Sequence, residues 1–380
     1  MYSKKVVFWS SCLGMLLFGI VLITLGSVIP DLKAKLDLDE ISAGTLFSIL
    51  PFGVLAGSMV FGPLVDKYSY RMLLVLSCVI VGTGFFGIGF THDPSILKIC
   101  AFLTGIGGGA INGATNALVA DISEKDKSAN LSLLGMFFGI GALGMPLLLG
   151  ILRDITGFEV ILSVVAALAV GAGLLFLLVK FPPPKQPHGF PFAKSFGMLR
   201  DGVLIMIAFF LFMQSSFEAI LNNWTTTYLI DGMMIPQRKA LIALSSFVAG
   251  MAFMRLIIGT ILRSLSERKL LIISFLILFA GLIFMRFGNT VPTAFSGLIL
   301  LGAGLAAGFP AMLGITGTRY AELSGTAFSL VLFIALLGNM SVNYMMGLIA
   351  TKFGIQHLIT VAMVLFVLMI ILYMFIFRRK

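Results

Sequence analysis

The sequence predicts an all-α membrane protein of twelve transmembrane helices in two six-helix halves, and three observations predict it. The first is composition: hydrophobic residues make up 59% of the chain, charged residues 11%, and mean hydropathy is +1.09. Soluble domains carry about 25% charged residues, so there is too little charge here to cover a surface facing water. The second is a series of apolar runs, each long enough to cross a hydrocarbon core of about 30 Å. The third is a turn that occurs twice. Gly62-Pro-Leu-Val-Asp66-Lys67-Tyr-Ser-Tyr-Arg71 returns 197 residues later as Gly259-Thr-Ile-Leu-Arg263-Ser-Leu-Ser-Glu267-Arg268. In both copies a charge follows the glycine by four residues and an arginine by nine, and a Leu-Leu pair then opens the next apolar run. A repeat on this scale indicates two homologous membrane halves joined head to tail.

In chain order the runs fall at roughly 6–30, 43–65, 72–91, 95–120, 128–152, 158–180, 203–230, 239–262, 270–287, 291–314, 323–350 and 355–377, by the length criterion for spanning helices. The first is too long for a signal peptide and lacks a small-residue cleavage site, so it counts as a span. The proline-dense stretch 181–200 is the one long polar interruption and reads as a non-helical cytoplasmic linker between halves 1–180 and 201–380.

Twelve spans place both termini and the even-numbered turns on one side. That side collects seventeen basic residues, from Lys4 and Lys5 through Lys67, Arg71, Lys180, Arg263 and Arg268 to Lys380, against eight on the other: Lys33, Lys35, Lys98, Arg153, Arg238, Lys239, Arg286 and Lys352. By the positive-inside rule the termini are cytoplasmic, and a bacterial plasma or inner membrane is the expected location. The net charge of +10 is then a topology signal spread over short turns, and no nucleic-acid partner is expected from it. The expected partners are the lipid bilayer and a small-molecule solute, with the chain acting as a monomer.

Catalysis finds no support. Cys12, Cys78 and Cys100 fall in apolar runs at no metal-ligand spacing, and His92, His188 and His357 form no HExxH pattern, so neither a metal site nor a cofactor is expected. No GxxxxGK[ST] motif occurs, which excludes pumping driven by ATP. Gly105-Ile-Gly107-Gly-Gly-Ala110 imitates a dinucleotide fingerprint but follows no strand. Gly105, Gly109 and Gly113 instead make a smooth packing ridge on the fourth span, and Gly304 and Gly308 are expected to do the same on the tenth. Gly139-Ile-Gly141-Ala-Leu-Gly144-Met-Pro146 marks a bend on the fifth span, as a hinge or as a static kink.

With the turn and the spans in place, the chain resembles the major facilitator superfamily. Gly62, Leu64, Asp66, Lys67, Arg71 and Leu74 match that superfamily's cytoplasmic signature between spans two and three, with Ser69 where a glycine is usual and Tyr70 where a basic residue is usual. The resemblance implies a gating role for this turn and its second copy (Gly62, Asp66, Lys67, Arg71, Gly259, Arg263, Arg268), and Arg71 can pair with Asp66. Within the superfamily the chain looks most like the fucose–galactose–glucose:proton symporter family. The likeness is carried by the fourth span around Asn112 and Asn116, Phe138–Pro146 on the fifth, Phe217-Glu218…Asn222-Asn223-Trp224 on the seventh, Arg255 on the eighth and Gly308-Phe309-Pro310 on the tenth. Two departures stand out: Asn112 replaces the family's fourth-span acid, and Val6–Pro30 contains no acidic residue.

Glu218 is the sharpest clue to function. It is a carboxylate about 22 Å along the seventh run, near the midplane, where an ionised group costs at least about 2.5 kcal/mol. Gln214, Glu218 and Asn222 are spaced four apart and share a helix face. Asn112 and Asn116, and Asn339 and Asn343, repeat that spacing. Asparagine donors and acceptors suit the hydroxyls of a sugar, or they hold helices together. Trp224 either stacks on a pyranose face or anchors at the interface. Arg255 is assigned to gating, or snorkels to the membrane surface.

The function expected is secondary active transport, by alternating access, of a small polar, sugar-like solute. Symport would use the proton gradient, with Glu218 protonated while solute binds and deprotonated on release. The alternatives are a proton-driven drug or metabolite exporter of the same superfamily, and an uncoupled uniporter. The fifth-span pattern favours the exporter, and Ala101, where such exporters carry arginine, speaks against it.

Overall fold

The computed structural model describes residues 2–123, 127–153, 155–182, 200–260, 265–288, 290–320 and 324–378; side chains at 62–68, 120, 127–129, 132, 259–260, 324–326 and 328–329 are excluded from the description. All but three residues of the expected linker 181–200 lie outside it.

Twelve helices in the described residues are long and apolar enough to cross a membrane. They are α1 Lys4–Leu36, α2 Glu40–Phe61, α3 Ser69–Phe90, α4 Pro94–Val119, α5 Leu133–Leu152, α6 Phe158–Leu178, α7 Gly202–Gly232, α8 Gln237–Ile258, α9 Glu267–Phe287, α10 Val291–Arg319, α11 Leu330–Phe353 and α12 Ile355–Arg378. The chain divides into two compact units, Met1–Gly189 and Phe190–Lys380.

Short polar residues start several helices. Asp39 Oδ1 accepts from the Ser42 amide at 2.8 Å, Asp93 Oδ1 from the Ser95 amide at 2.6 Å, and Asp201 Oδ1 from the Val203 amide at 2.8 Å. Each satisfies a backbone donor that the first turn leaves without a partner. At Asp201 burial opposes the charge, but the facing Tyr320 hydroxyl, two amides and the Arg319 guanidinium outweigh it and hold the carboxyl below its ordinary range.

In the first unit, α4 packs on α2 and α3, and α1 packs on α4 and α5. Backbones touch at the glycines. A methyl group on Gly105 would strike the Leu50 carbonyl, and one on Gly109 the Val54 carbonyl, while Gly113 lies under the Phe61 ring. The fourth-span ridge therefore docks along α2. On α5 only part of the glycine pattern is at an interface: Gly141 lies against the Leu16 carbonyl, whereas Gly139 and Gly144 face open space. α5 continues as helix through Pro146.

Three cations at the end of this unit away from the termini are paired. Arg153 reaches Asp31 at 2.6 Å, Lys33 binds Glu40, and Lys35 lies 3.6 Å from Glu159 and donates to the Gly89 carbonyl at 2.6 Å. At the opposite end, Ser69 has φ 80° and ψ 156°, a conformation that belongs to glycine. Tyr70 is fully buried and its hydroxyl donates to Asp121 at 3.2 Å.

In the second unit, α7 packs on α11 and α12, and α10 packs on α8 and α9. α10 consists of two helices, Val291–Leu305 and Gly308–Arg319. The break separates Gly304, which meets Leu278 of α9, from Gly308, which meets Gln214 of α7. The expected tenth-span ridge of Gly304 and Gly308 is therefore split between two neighbours, and Gly302, against the Phe247 carbonyl of α8, makes the close backbone contact.

Candidate functional site

Helix α7 starts at the Asp201 cap, and sixteen residues of helix bring Glu218 about 24 Å from that end. The carboxylate is partly exposed and makes no hydrogen bond or ion pair with the described residues. The charge that acts on it is the guanidinium of Arg255 on α8, whose side chain is exposed. One helical turn to either side the stripe divides. Gln214 is 1% exposed; its Nε2 donates to the Leu305 carbonyl at 2.8 Å, inside the break of α10, and its Oε1 is buried without a partner. Gln214 therefore supports the interrupted helix with its donor and keeps an acceptor unused. Asn222 is half-buried, and its Oδ1 is also buried and unpartnered. Such an atom carries a desolvation cost of about 1–3 kcal/mol until something donates to it.

The neighbouring face of α7 bonds to α11. Trp224 is completely buried, so it is not an interfacial anchor, and its indole N–H donates to Asn343 Oδ1 at 3.2 Å. Asn223 Nδ2 donates to the same oxygen at 3.2 Å. Asn343 Nδ2 in turn donates to the Asn339 carbonyl at 2.9 Å and to Asn339 Oδ1 at 3.1 Å. The structure thus joins Trp224, Asn339 and Asn343 and adds Asn223, a residue the four-residue spacing passed over. Its adjacency to Trp224 was the available signal.

In the first unit, Asn116 Nδ2 donates to both the Asn112 carbonyl and Asn112 Oδ1 at 2.9 Å. Between them Thr115 is fully buried and donates to the Ile111 carbonyl at 2.8 Å. Asn112 and Asn116 are both half-buried. The pair is bonded within its own helix, which leaves the Asn112 amide donors for another group.

The paired turns are described only in part. Gly62, Asp66, Lys67 and Gly259 lie outside the residues whose side chains are described, and Arg263 lies outside the described residues altogether. Arg71 donates from Nε to the Leu177 carbonyl at 2.8 Å and from Nη2 to the same oxygen. It thus caps the end of α6. Arg268 is exposed, and its carbonyl accepts from the Tyr373 hydroxyl at 3.4 Å.

Twelve apolar helices in two units, with polar groups at mid-helix depth, define a multi-pass membrane transporter. Residues 11–264 match the description Major Facilitator Superfamily, and the chain belongs to that family. It is a transporter of that superfamily and not an enzyme. Among similar proteins, the glucose/mannose transporter GlcP of Bacillus subtilis (strain 168) is 26% identical over 87% of this chain and 84% of its own length. The D-xylose transporter of Levilactobacillus brevis is 27% identical over 35% of this chain and 29% of its own length. The crystal structure of nucleoside transporter NupG superposes with TM-score 0.80 at 17% identity, covering all of both chains. A bacterial homolog to the human lysosomal transporter Spinster, inward-facing and occupied, does so with TM-score 0.81 at 15% identity, covering 98% and 96%. These two likenesses concern the fold.

Proposed function

We propose that this protein imports a hexose-like sugar together with a proton, with Glu218 as the proton carrier. The observation that carries the reading is the α7 stripe: a carboxylate that bonds to none of the described residues, one turn from the unpartnered oxygen of Asn222 and within electrostatic reach of Arg255. A sugar hydroxyl is the donor that Asn222 Oδ1 lacks. Protonation of Glu218 removes a charge from mid-membrane depth, where carrying it costs at least about 2.5 kcal/mol. Proton loading therefore favours the state that moves through the bilayer. Likeness to a glucose/mannose transporter over most of the chain supports the sugar as cargo.

The rest of the reading concerns topology. The termini and the 181–200 linker lie in the cytoplasm of a bacterial plasma membrane. The protein works as a monomer with the proton gradient as its only cofactor. Arg71, Arg255, Arg268 and the turns that carry Gly62, Asp66, Lys67, Gly259 and Arg263 act in gating.

The test is uptake of labelled hexoses into proteoliposomes with and without an inward proton gradient. Wild-type protein accumulates sugar above equilibrium only with the gradient, and Glu218→Gln equilibrates sugar without accumulating it. Equal accumulation by Glu218→Gln, or wild-type uptake that ignores the gradient, removes Glu218 from coupling.

A further inference from the structure

At the terminal end of the first unit, a cavity of about 710 Å³ lies between the first turns of α1 and the last turn of α6, and an adjoining one of about 420 Å³ is lined by Tyr2, by Ser69 and Arg71 at the start of α3, and by Lys180 and Phe181. They share Tyr2 and Lys180 in their walls. Lys5 lines the larger and Arg71 the smaller, so three cations converge on the pair, and among the described residues no carboxylate lines either cavity. Arg71 uses Nε and Nη2 on the Leu177 carbonyl, and its remaining N–H groups make no bond to the described residues.

Away from the cations, the wall of the larger cavity is apolar. Val6, Leu13, Leu175 and Leu178 form a trough, and Leu178 is 80% exposed. Trp9, 50% exposed, lines the same cavity one helical turn along α1 from Lys5. An indole at that position matches the headgroup level of a bilayer. The combination joins a phosphate-sized cationic end, an amphipathic ring and a hydrocarbon-sized groove in one site. We infer that this groove binds an anionic phospholipid of the leaflet on the side of the termini. Its phosphate sits among Lys5, Lys180 and Arg71, and an acyl chain lies along the trough. Charge complementarity selects the occupant, because a zwitterionic lipid brings its own cation to a site that already holds three.

The chain supplies its own reporter. It has two tryptophans, and Trp224 is completely buried, so quenching by a lipid label reads Trp9. The experiment uses purified full-length protein in mixed micelles with acyl-brominated phosphatidylglycerol or acyl-brominated phosphatidylcholine. Phosphatidylglycerol is expected to quench at much lower mole fraction. Lys5→Gln/Lys180→Gln shifts that half-point roughly thirty-fold upward, the loss of two surface cations near a charged headgroup. Lys5→Arg/Lys180→Arg and the remote Lys98→Gln leave it in place, and Trp9→Phe abolishes the signal. Equal quenching by both lipids in wild type, an unmoved half-point in Lys5→Gln/Lys180→Gln, or equal protection by inorganic phosphate would each overturn the proposal.

Discussion

Gly53 and Gly105 face each other across α2 and α4, where added methyl groups would strike the carbonyls of Phe102 and Leu50. In the second unit Gly250 and Gly302 stand 197 positions later, and there the same methyl groups would strike the carbonyls of Ile299 and Phe247, also 197 positions later. Gly107 and Gly304 follow the same offset, one against α3 and the other against α9. The polar residues do not follow it. Positions 197 before Gln214, Glu218 and Asn222 hold Leu17, Val21 and Leu25, and the position 197 after Asn112 holds Phe309. Bonding differs too: the Asn112–Asn116 pair stays within one helix, whereas Gln214 and Trp224 bond to α10 and α11. Close backbone packing was kept in both copies, and the chemistry diverged between them.

The comparison can be broken most severely at the shared glycines. Gly105→Val and Gly302→Val each press a branched side chain onto a backbone carbonyl that has no rotamer to escape into. Each is expected to cost about 3 kcal/mol and to cut the monodisperse fraction on fluorescence size exclusion to a similar extent. A tolerated substitution in one half alone would show that only the other half relies on this contact.

Next come the polar residues, where the halves should respond differently. Asn343→Leu removes the acceptor for two buried donors, Trp224 and Asn223, and should destabilise by about 2 kcal/mol. Asn116→Ala removes bonds within one helix and should cost about 0.6 kcal/mol. Thermal midpoints in matched detergent separate the two cases, and equal losses would erase the distinction drawn here.

Ser69→Gly should stabilise by about 1 kcal/mol, since it relieves a positive-φ serine. The position 197 later is Ser266, whose φ of −66° is ordinary, so Ser266→Gly should give no gain. The smallest effect concerns Asp201. Asp201→Asn is expected to lose at most about 1 kcal/mol of capping. The folded carboxyl is held below its ordinary range, so its contribution is complete above about pH 4 and fades as pH falls further. Wild type and variant should therefore converge in stability on the acid side and differ at neutral pH.

Much of the architecture was legible because bilayer thickness imposes a length that apolar runs reveal directly. The break in α10 had a local signal in Gly308 and Pro310, which read as family likeness, but its support, Gln214, comes from another helix and had none. Spacing rules picked Asn222 from α7, but Asn223 makes the cross-helix bond. Which asparagine does so depends on how α11 is rotated, which no periodicity within α7 encodes. Arg71 adds a contact that no local spacing encodes: the carbonyl it binds, that of Leu177, lies 106 residues away. Glu218 was readable because the cost of a carboxylate at mid-membrane depth belongs to the residue itself, whatever surrounds it.

The most direct test of the central claim is proton movement itself, recorded as external pH when glucose is added to lightly buffered proteoliposomes with no imposed gradient. The account predicts alkalinisation outside, one proton entering per sugar, with wild-type protein, and sugar entry without any pH change for Glu218→Gln. Sugar entry through wild-type protein at constant external pH would contradict it.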